Sequence, residues 1–513
     1  MKLQKTLLCG AIAATMLSGC GATEQVKATG ADRAPTDKPN VIVVFLDDSG
    51  FADISANGGK YNTKNIDKLA NEGQNFSSFY VNSSVSSPSR AGMLTSRVSK
   101  KTGMYGNKQP VFAIGDPDGL PYEETTIPEM LKTNGYSTMM VGKWHLGLGT
   151  DGLEWSPTRH GFDQFWGLVN HNSDTDPEYW PDPKYRMDVI LKQINNGVSI
   201  AELIPALTFR DGAFADENGR GTAEAFYNEV TESYVNADGT YSDKLLGNLD
   251  AKNFTKDATD RVVDYIEEKK DEPFFAYVAY SQTHVPLFVS EDFEGATDTM
   301  YGNVMMEIDY NVGRITESLK KNGLEDNTII VFASDNGPWL PYGDRGAAGD
   351  KGSLRDGKGS TYEGGDRVPG IINWPGQIKA GQNDSIFSTL DLMPTLASLT
   401  GTEMPDIDTD GYDQSGNLLR GEVSPRGDMG YYFMGHFQAY RNGDYKVVFW
   451  KSGLGGSKKL KRTQLFNVKT DPSEVKDLAK KDKAKLKEMI ALAKAYDESK
   501  GEWATALFDG NSE

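Results

Sequence analysis

Cysteine is nearly absent from this chain: Cys9 and Cys20 are the only two in 513 residues. Both lie in the first twenty residues, so the body of the protein has no disulfide framework and no thiol chemistry. Positive charge is also in deficit, 54 Lys and Arg against 73 Asp and Glu, for a net charge of -19. That balance argues against a general nucleic-acid binder, and an anionic substrate must be held by a local cluster of cations or metal. No apolar run is long enough to cross a bilayer; Thr6 to Met16 is too short. No internal repeat is present. What the chain does have is length and 38% hydrophobic content, enough for a large core and more than one domain.

The N-terminus carries the features of an exported protein. Met1 to Lys5 is short and basic, and the apolar stretch after it reads as a signal peptide. It ends in Leu17-Ser18-Gly19-Cys20, which resembles the bacterial lipobox. Residues 1–19 are thus expected to be removed and Cys20 lipidated, with residues 20–38 as a flexible tether to the membrane. The expected location is the bacterial periplasm or cell surface.

Four apolar, β-branched or aromatic runs then share one design. Val41 to Leu46 ends in Asp47-Asp48-Ser49-Gly50, and Ser137 to Val141 ends in Gly142-Lys143-Trp144-His145. Phe274 to Tyr280 ends in Ser281-Gln282-Thr283-His284, and Thr328 to Ala333 ends in Ser334-Asp335-Asn336-Gly337. Runs of this kind are strands buried on both faces, and open α/β sheets place ligands at the C-terminal ends of such strands. Helical spacing over 304–319, and more briefly over 127–131 and 260–268, lies between them. The expected fold is α/β, a large mostly parallel mixed sheet sandwiched by helices over residues 39–424. Residues 174–253 read as loops and short helices over the sheet edge. From 425 the pattern changes to short antiparallel strands at 429–434, 437–441, 445–450 and 464–468. A Lys-rich helix follows with Leu486, Met489, Ile490 and Ala493 on one face, making 425–513 a smaller α+β subdomain.

Ser86-Ser87-Pro88-Ser89-Arg90 reads as a rigid turn leading into a helix from Ser89, with Ser86 just ahead of the helix N-terminus. Arg90 is expected to point back at Ser86. Asp47, Asp48, Asp335 and Asn336 form an all-oxygen donor set that suits Ca²⁺ better than Mg²⁺. Arg90, Lys143, Lys358, His145 and His284 add cations and proton carriers, a combination suited to moving an anionic group.

These motifs resemble the type I sulfatases of the alkaline-phosphatase superfamily. The shared stretches are Leu46 to Phe51, Ser86 to Arg90 with Leu94-Thr95-Ser96, Gly142 to His145 and His284-Val285-Pro286. Ser334 to Pro338, Leu354 to Pro369, Asp391 to Leu396 and Leu465 to Pro472 continue the match. The resemblance implies that Ser86 is oxidised to formylglycine by a radical maturation enzyme, and that the aldehyde hydrate attacks sulfur. It assigns His145 as the base that collapses the sulfate hemiester, and Arg90 and Lys143 as the groups holding the hydrate. His284 and Lys358 become sulfate contacts, one of them protonating the leaving alcohol. Asp47, Asp48, Asp335, Asn336 and the oxygen on residue 86 become calcium ligands.

The implied substrate is a sulfated oligo- or polysaccharide, such as an algal galactan like carrageenan, a glycosaminoglycan or a mucin. Further candidate substrate contacts are His171, Arg345, Arg355 and Trp180, with Lys351 and Tyr185 beside them. Asp406 to Gly411 mimics the start of an EF-hand but reads as an acidic turn, and His160 and His436 read as structural. Two other functions compete: phosphodiester or phosphonate hydrolysis, and non-catalytic glycan binding.

Overall fold

A computed structural model describes residues 38–112, 116–147, 153–170, 229–285, 287–341, 343, 347–452 and 457–508. The uninterrupted apolar run after Asn40 forms β1 (Asn40–Leu46), buried along its whole length. It sits inside a ten-stranded sheet with β2 (Gln74–Tyr80), β3 (Ser137–Lys143), β4 (Gln164–Leu168), β5 (Glu229–Val235) and β6 (Tyr241–Asn248). The other members are β7 (Phe274–Ala279), β8 (Thr328–Ser334), β9 (Gly370–Asn373) and β10 (Gly381–Ser388). Their order is β10-β2-β9-β8-β1-β7-β3-β4-β5-β6.

The central strands β8-β1-β7-β3-β4 are all parallel. β9 and the β5–β6 hairpin run antiparallel to their neighbours. Side chains of a strand alternate between faces, and β1 shows it. Val41, Val43 and Phe45 join one core with the helices Ser86–Thr95, Ile127–Lys132 and Leu392–Thr400. Ile42, Val44 and Leu46 join the opposite core with the helices Phe254–Glu268 and Met300–Lys321. The sheet is therefore sandwiched by helices, as expected.

Some expectations need correction. Residues 229–248 are a hairpin extending the sheet, not loops; the remainder of 174–228 lies outside the described residues. Edge strands with one solvated face carry mixed polar residues and lose the apolar signature. The helix read at 304–319 spans Met300–Lys321, and Asp309 on it is buried, accepting the Asn65 and Ile66 N–H groups at 2.9 Å each.

The second sheet is β11 (Asp428–Phe433), β12 (His436–Asn442), β13 (Tyr445–Lys451) and β14 (Lys458–Asn467), antiparallel in that order. One face packs Met429, Tyr431, Val448 and Phe466 against Tyr80, Tyr362 and Ile386. The other lies under the helix Lys483–Ser499 through Met489 and Ala493. Ile490 is off that face and exposed. β14 begins six residues before the strand read at 464, because its outer half is lysine-rich.

Between the sheets, Glu363 accepts hydrogen bonds from Lys446 Nζ at 2.9 Å, Tyr431 at 3.1 Å and Tyr80 at 2.5 Å. Its own N–H donates to Glu474 at 2.7 Å, and Lys446 also pairs with Glu474 at 3.2 Å. The C-terminal sheet is thus tied to the loop that carries Lys358.

Candidate active site

Parallel pairing brings the four strand ends into one row. Leu46 pairs with Ser334, Phe45 with Ala279, and Gly142 with Ala279. Asp47 and Asp48, Lys143, Thr283 and His284, and Asp335 and Asn336 therefore emerge side by side, as the strand reading expects.

The helix carrying Ser86 runs Ser86–Thr95 and is buried throughout. It starts at Ser86, not at Ser89, and neither residue caps it: Val85 is the extended N-cap and makes no side-chain cap bond. Pro88 sits in the first helical turn, where its missing N–H costs no intrahelical bond. Ser86 thus stands on the helix itself, and its hydroxyl donates to Asp335 Oδ2. One turn on, Arg90 Nε lies 3.0 Å from Ser86 Oγ and 3.0 Å from Asp335 Oδ2. Its Nη2 is 2.8 Å from Asp335 Oδ2 and 3.7 Å from Asp47 Oδ2. Arg90 Nη1 donates to the Lys143 carbonyl at 3.1 Å and to Tyr277 at 3.4 Å.

Lys143 Nζ donates to Asp47 Oδ2, and Lys358 Nζ reaches Asp48 at 2.7 Å. Asn336 Nδ2 donates to Asp48 Oδ1 at 2.7 Å, and the Asp48 N–H to Asp335 Oδ1 at 3.2 Å. Burial alone pushes the Asp47 carboxyl up, but Lys143, Arg90 and Lys358 together hold it below the usual range. Asp335 is raised by burial and by the Asp47 charge. Burial lowers Lys143 despite Asp47. Burial also opposes the charge on Lys358, but Asp48, Asp47 and Asp335 outweigh it and raise this lysine.

The donor set fits a hard cation. Ligand atoms of Asp47, Asp48 and His284 lie within 4.8 Å of one another. Asp47 Oδ1 and Asn336 Oδ1 are buried acceptors without a hydrogen-bond partner among the described residues, a costly state that a cation would relieve. Asp335 stands outside the compact group, its Oδ2 engaged by Ser86 and Arg90. Asp48 and His145 hold φ of 65° and 60°; such strained backbone clusters at functional sites.

His145 Nε2 lies 3.2 Å from the Phe112 carbonyl oxygen. A carbonyl only accepts, so Nε2 carries the hydrogen and Nδ1 is the basic atom. The same logic places the hydrogen of His284 on Nδ1, bonded to the Val285 carbonyl, and turns Nε2 toward Asp48 Oδ2 at 3.7 Å.

Several groups were not visible to sequence reasoning. Tyr277 sits within an apolar strand pattern that hides its hydroxyl. Trp339 lies under Lys358, ring centre 5.8 Å from Nζ. Asp53 braces the loop after β1: it accepts from the Tyr301 hydroxyl at 2.6 Å, Tyr301 Oη lies 2.9 Å from Thr283 Oγ1, and Thr283 donates to the Asp47 carbonyl at 2.9 Å. Burial raises the Asp53 carboxyl to about 6.

The remaining candidates are placed as follows. Arg355 donates to the Glu474 carbonyl at 2.9 Å and lies 3.7 Å over the Tyr362 ring. Lys351 donates to the Leu354 carbonyl. His160 is buried in a stack with Trp144 and Tyr122, and burial lowers it to about 3. His436 stacks on Trp450 with ring centres 4.1 Å apart. In the acidic turn, Asp410 pairs with Lys101 and Lys500 at 2.9 Å each. His171, Trp180, Tyr185, Arg345 and Cys20 lie outside the described residues.

The chain is similar to proteins already known. The Sulfatase family model matches residues 39–402. Arylsulfatase A of Homo sapiens is 35% identical over 427 residues, covering 82% of this chain and 76% of that protein. The N-acetylgalactosamine-6-O-sulfatase of Bacteroides thetaiotaomicron is 29% identical over 512 residues, covering 93% of this chain and 96% of its own. The crystal structure of Ps i-CgsB in complex with k-i-k-neocarrahexaose aligns with a TM-score of 0.70 and 28% identity, over 91% of this chain and 94% of that one. With the family model spanning the whole row of strand ends, and a third of residues shared across four-fifths of the chain, this protein belongs to the sulfatase family and is a sulfuric ester hydrolase.

Proposed function

We propose that the chain hydrolyses a sulfate ester on a carbohydrate, releasing inorganic sulfate, with a formylglycine made from Ser86 and a Ca²⁺ ion. The observation that carries this reading is the position of Ser86, on a buried helix start between Arg90 and Asp335. Among the described residues no histidine is bonded to its hydroxyl, and a bare serine without such a base is a weak nucleophile. Oxidation by a radical maturation enzyme removes two hydrogens and gives an aldehyde whose hydrate supplies the attacking oxygen. Asp47, Asp48, Asp335 and Asn336, with the oxygen on residue 86, are the residues to hold the ion. When bound, it adds charge compensation for the sulfate oxygens.

The other side chains have separable tasks. Arg90 and Lys143 fix residue 86 and offset negative charge in a water-poor site. His145 Nδ1 withdraws the proton that lets the hydrate expel sulfate. Lys358 and His284, the latter as an imidazolium with Nε2 also protonated, hold sulfate oxygens, and one delivers a proton to the leaving alcohol. The substrate class follows the relatives, one acting on an N-acetylgalactosamine sulfate and one complexed with a carrageenan oligosaccharide. Residues 1–19 are read as a signal peptide and Cys20 as the lipidated terminus, which places the enzyme in the periplasm or at the cell surface.

Sulfate release from carrageenan oligosaccharides and from N-acetylgalactosamine 6-sulfate tests the reading, with a matched aryl sulfate and aryl phosphate diester alongside. Turnover of the sulfates with little on the diester is expected. Turnover of the diester alone would favour phosphorus chemistry, and turnover of the aryl sulfate alone would remove the carbohydrate.

A further inference from the structure

The outer half of β14 is the edge of its sheet and gathers Lys458, Lys459, Lys461 and Arg462, with Lys451 facing Lys458 across the strand pair. These five cations are exposed and line a groove of about 460 Å³. Arg462 pairs with Asp477 at 2.7 Å. Among the described residues, no acid lies within ion-pair distance of Lys451, Lys458, Lys459 or Lys461. In a chain of net charge -19 such a patch forms a local field opposite to that of the whole molecule.

The groove is joined to the catalytic loop. Ser452, next to Lys451, accepts the Thr361 N–H at 2.9 Å, and Thr361 follows Lys358 by three residues. Ser457, next to Lys458, accepts from Gln438 at 2.6 Å, and Gln438 in turn meets Thr361 at 3.5 Å. The Lys451–Lys458 end is therefore held to the loop carrying Lys358. From there the cations continue along the strand to Arg462, roughly 13 Å at strand rise.

We propose that this groove binds the sulfated polysaccharide chain beyond the sugar whose ester is cut. This rests on the carbohydrate-sulfate reading above. The sulfates of a polymer repeat along its length, and a row of cations on an extended strand, all but Arg462 without an acid partner among the described residues, complements them. An uncharged or desulfated glycan has nothing to pair with it.

The test uses the full chain with Ser86→Ala, run by electrophoresis through gels containing carrageenan, desulfated carrageenan or no polymer. A groove variant (Lys458→Glu, Lys459→Glu, Lys461→Glu) is compared with a helix variant (Lys483→Glu, Lys487→Glu, Lys494→Glu) of equal net charge. The groove variant should bind the sulfated polymer at least ~10-fold more weakly, a difference near 1.4 kcal/mol, while the helix variant keeps the parent's retardation. In the matured enzyme, the same groove changes should lower kcat/KM on the polymer relative to that on a small aryl sulfate. Equal loss in both variants, or equal retardation by desulfated polymer, would overturn the proposal. Loss of binding to phosphatidylglycerol vesicles with polymer binding retained would also overturn it, in favour of a lipid surface. Groove-dependent retardation without any sulfate release would sink the hydrolytic reading and leave the groove standing. Sulfate release without groove-dependent retardation would do the reverse.

Discussion

Arg90 Nε lies at the same distance, 3.0 Å, from Ser86 Oγ and from Asp335 Oδ2. One guanidinium edge therefore holds the nucleophile position and a proposed metal ligand together, while Nη1 reaches the Lys143 carbonyl and Tyr277. An ammonium cannot reproduce that fork. Arg90→Lys should fold and lose about 100-fold or more in kcat, read by sulfate release on protein whose circular dichroism is unchanged. A loss below tenfold would show that only the charge matters.

Removal of the ion should be visible in stability as well as rate. Asp47 Oδ1 and Asn336 Oδ1 have no hydrogen-bond partner among the described residues, so a bound cation supplies one. Ca²⁺ at about 100 times its Kd should add about 2.7 kcal/mol, seen as a rise in Tm that EGTA reverses. Asn336→Ala and Asp47→Asn should each blunt the rise. A Tm indifferent to Ca²⁺ in the parent protein would contradict the assigned site.

Lys358 should act on substrate more than on the fold. It pairs with the buried Asp48, its own side chain is 9% exposed, and it lies over Trp339. Lys358→Ala is expected to reduce kcat/KM by about 100-fold with a Tm change of only a few degrees. Rate loss confined to poor leaving groups would mark Lys358 as the proton donor; equal loss on activated aryl sulfates would mark it as a sulfate contact.

The link between the two sheets predicts a pH-dependent stability. Burial and the Glu363 charge raise Glu474 from 4.5 to about 7, against the pull of Lys446. Glu363 stays ionised because Lys446, Arg441 and Arg367 outweigh its burial. A carboxyl raised on folding contributes stability that is complete below its unfolded pKa and lost as pH rises through the folded value. Tm should therefore fall between about pH 4.5 and about pH 7, and Glu474→Gln should flatten the slope. An unchanged slope would remove Glu474 as its source.

The strands that bear the site were legible because they are apolar without interruption and end abruptly in Asp, Lys, His or Asn. β2, β5, β6 and β10 were not, being mixed in polarity or at an edge where one face meets water, and β9, buried between β8 and β2, is only four residues long. The start of the Ser86 helix was misplaced because Pro88 reads as a stop, although the first turn of a helix tolerates it. Asp53 and Tyr301, 248 residues apart, have no local signal, and the same holds for Glu363 and Glu474, brought together only by the packing of the two sheets.

The most direct test of the central claim is the mass of the Ser86 peptide, taken from protein made with its native maturation machinery. The account predicts a peptide lighter by two hydrogens at Ser86, in protein that releases sulfate. An intact serine in protein of equal activity would contradict it, because the attacking oxygen would then have another source.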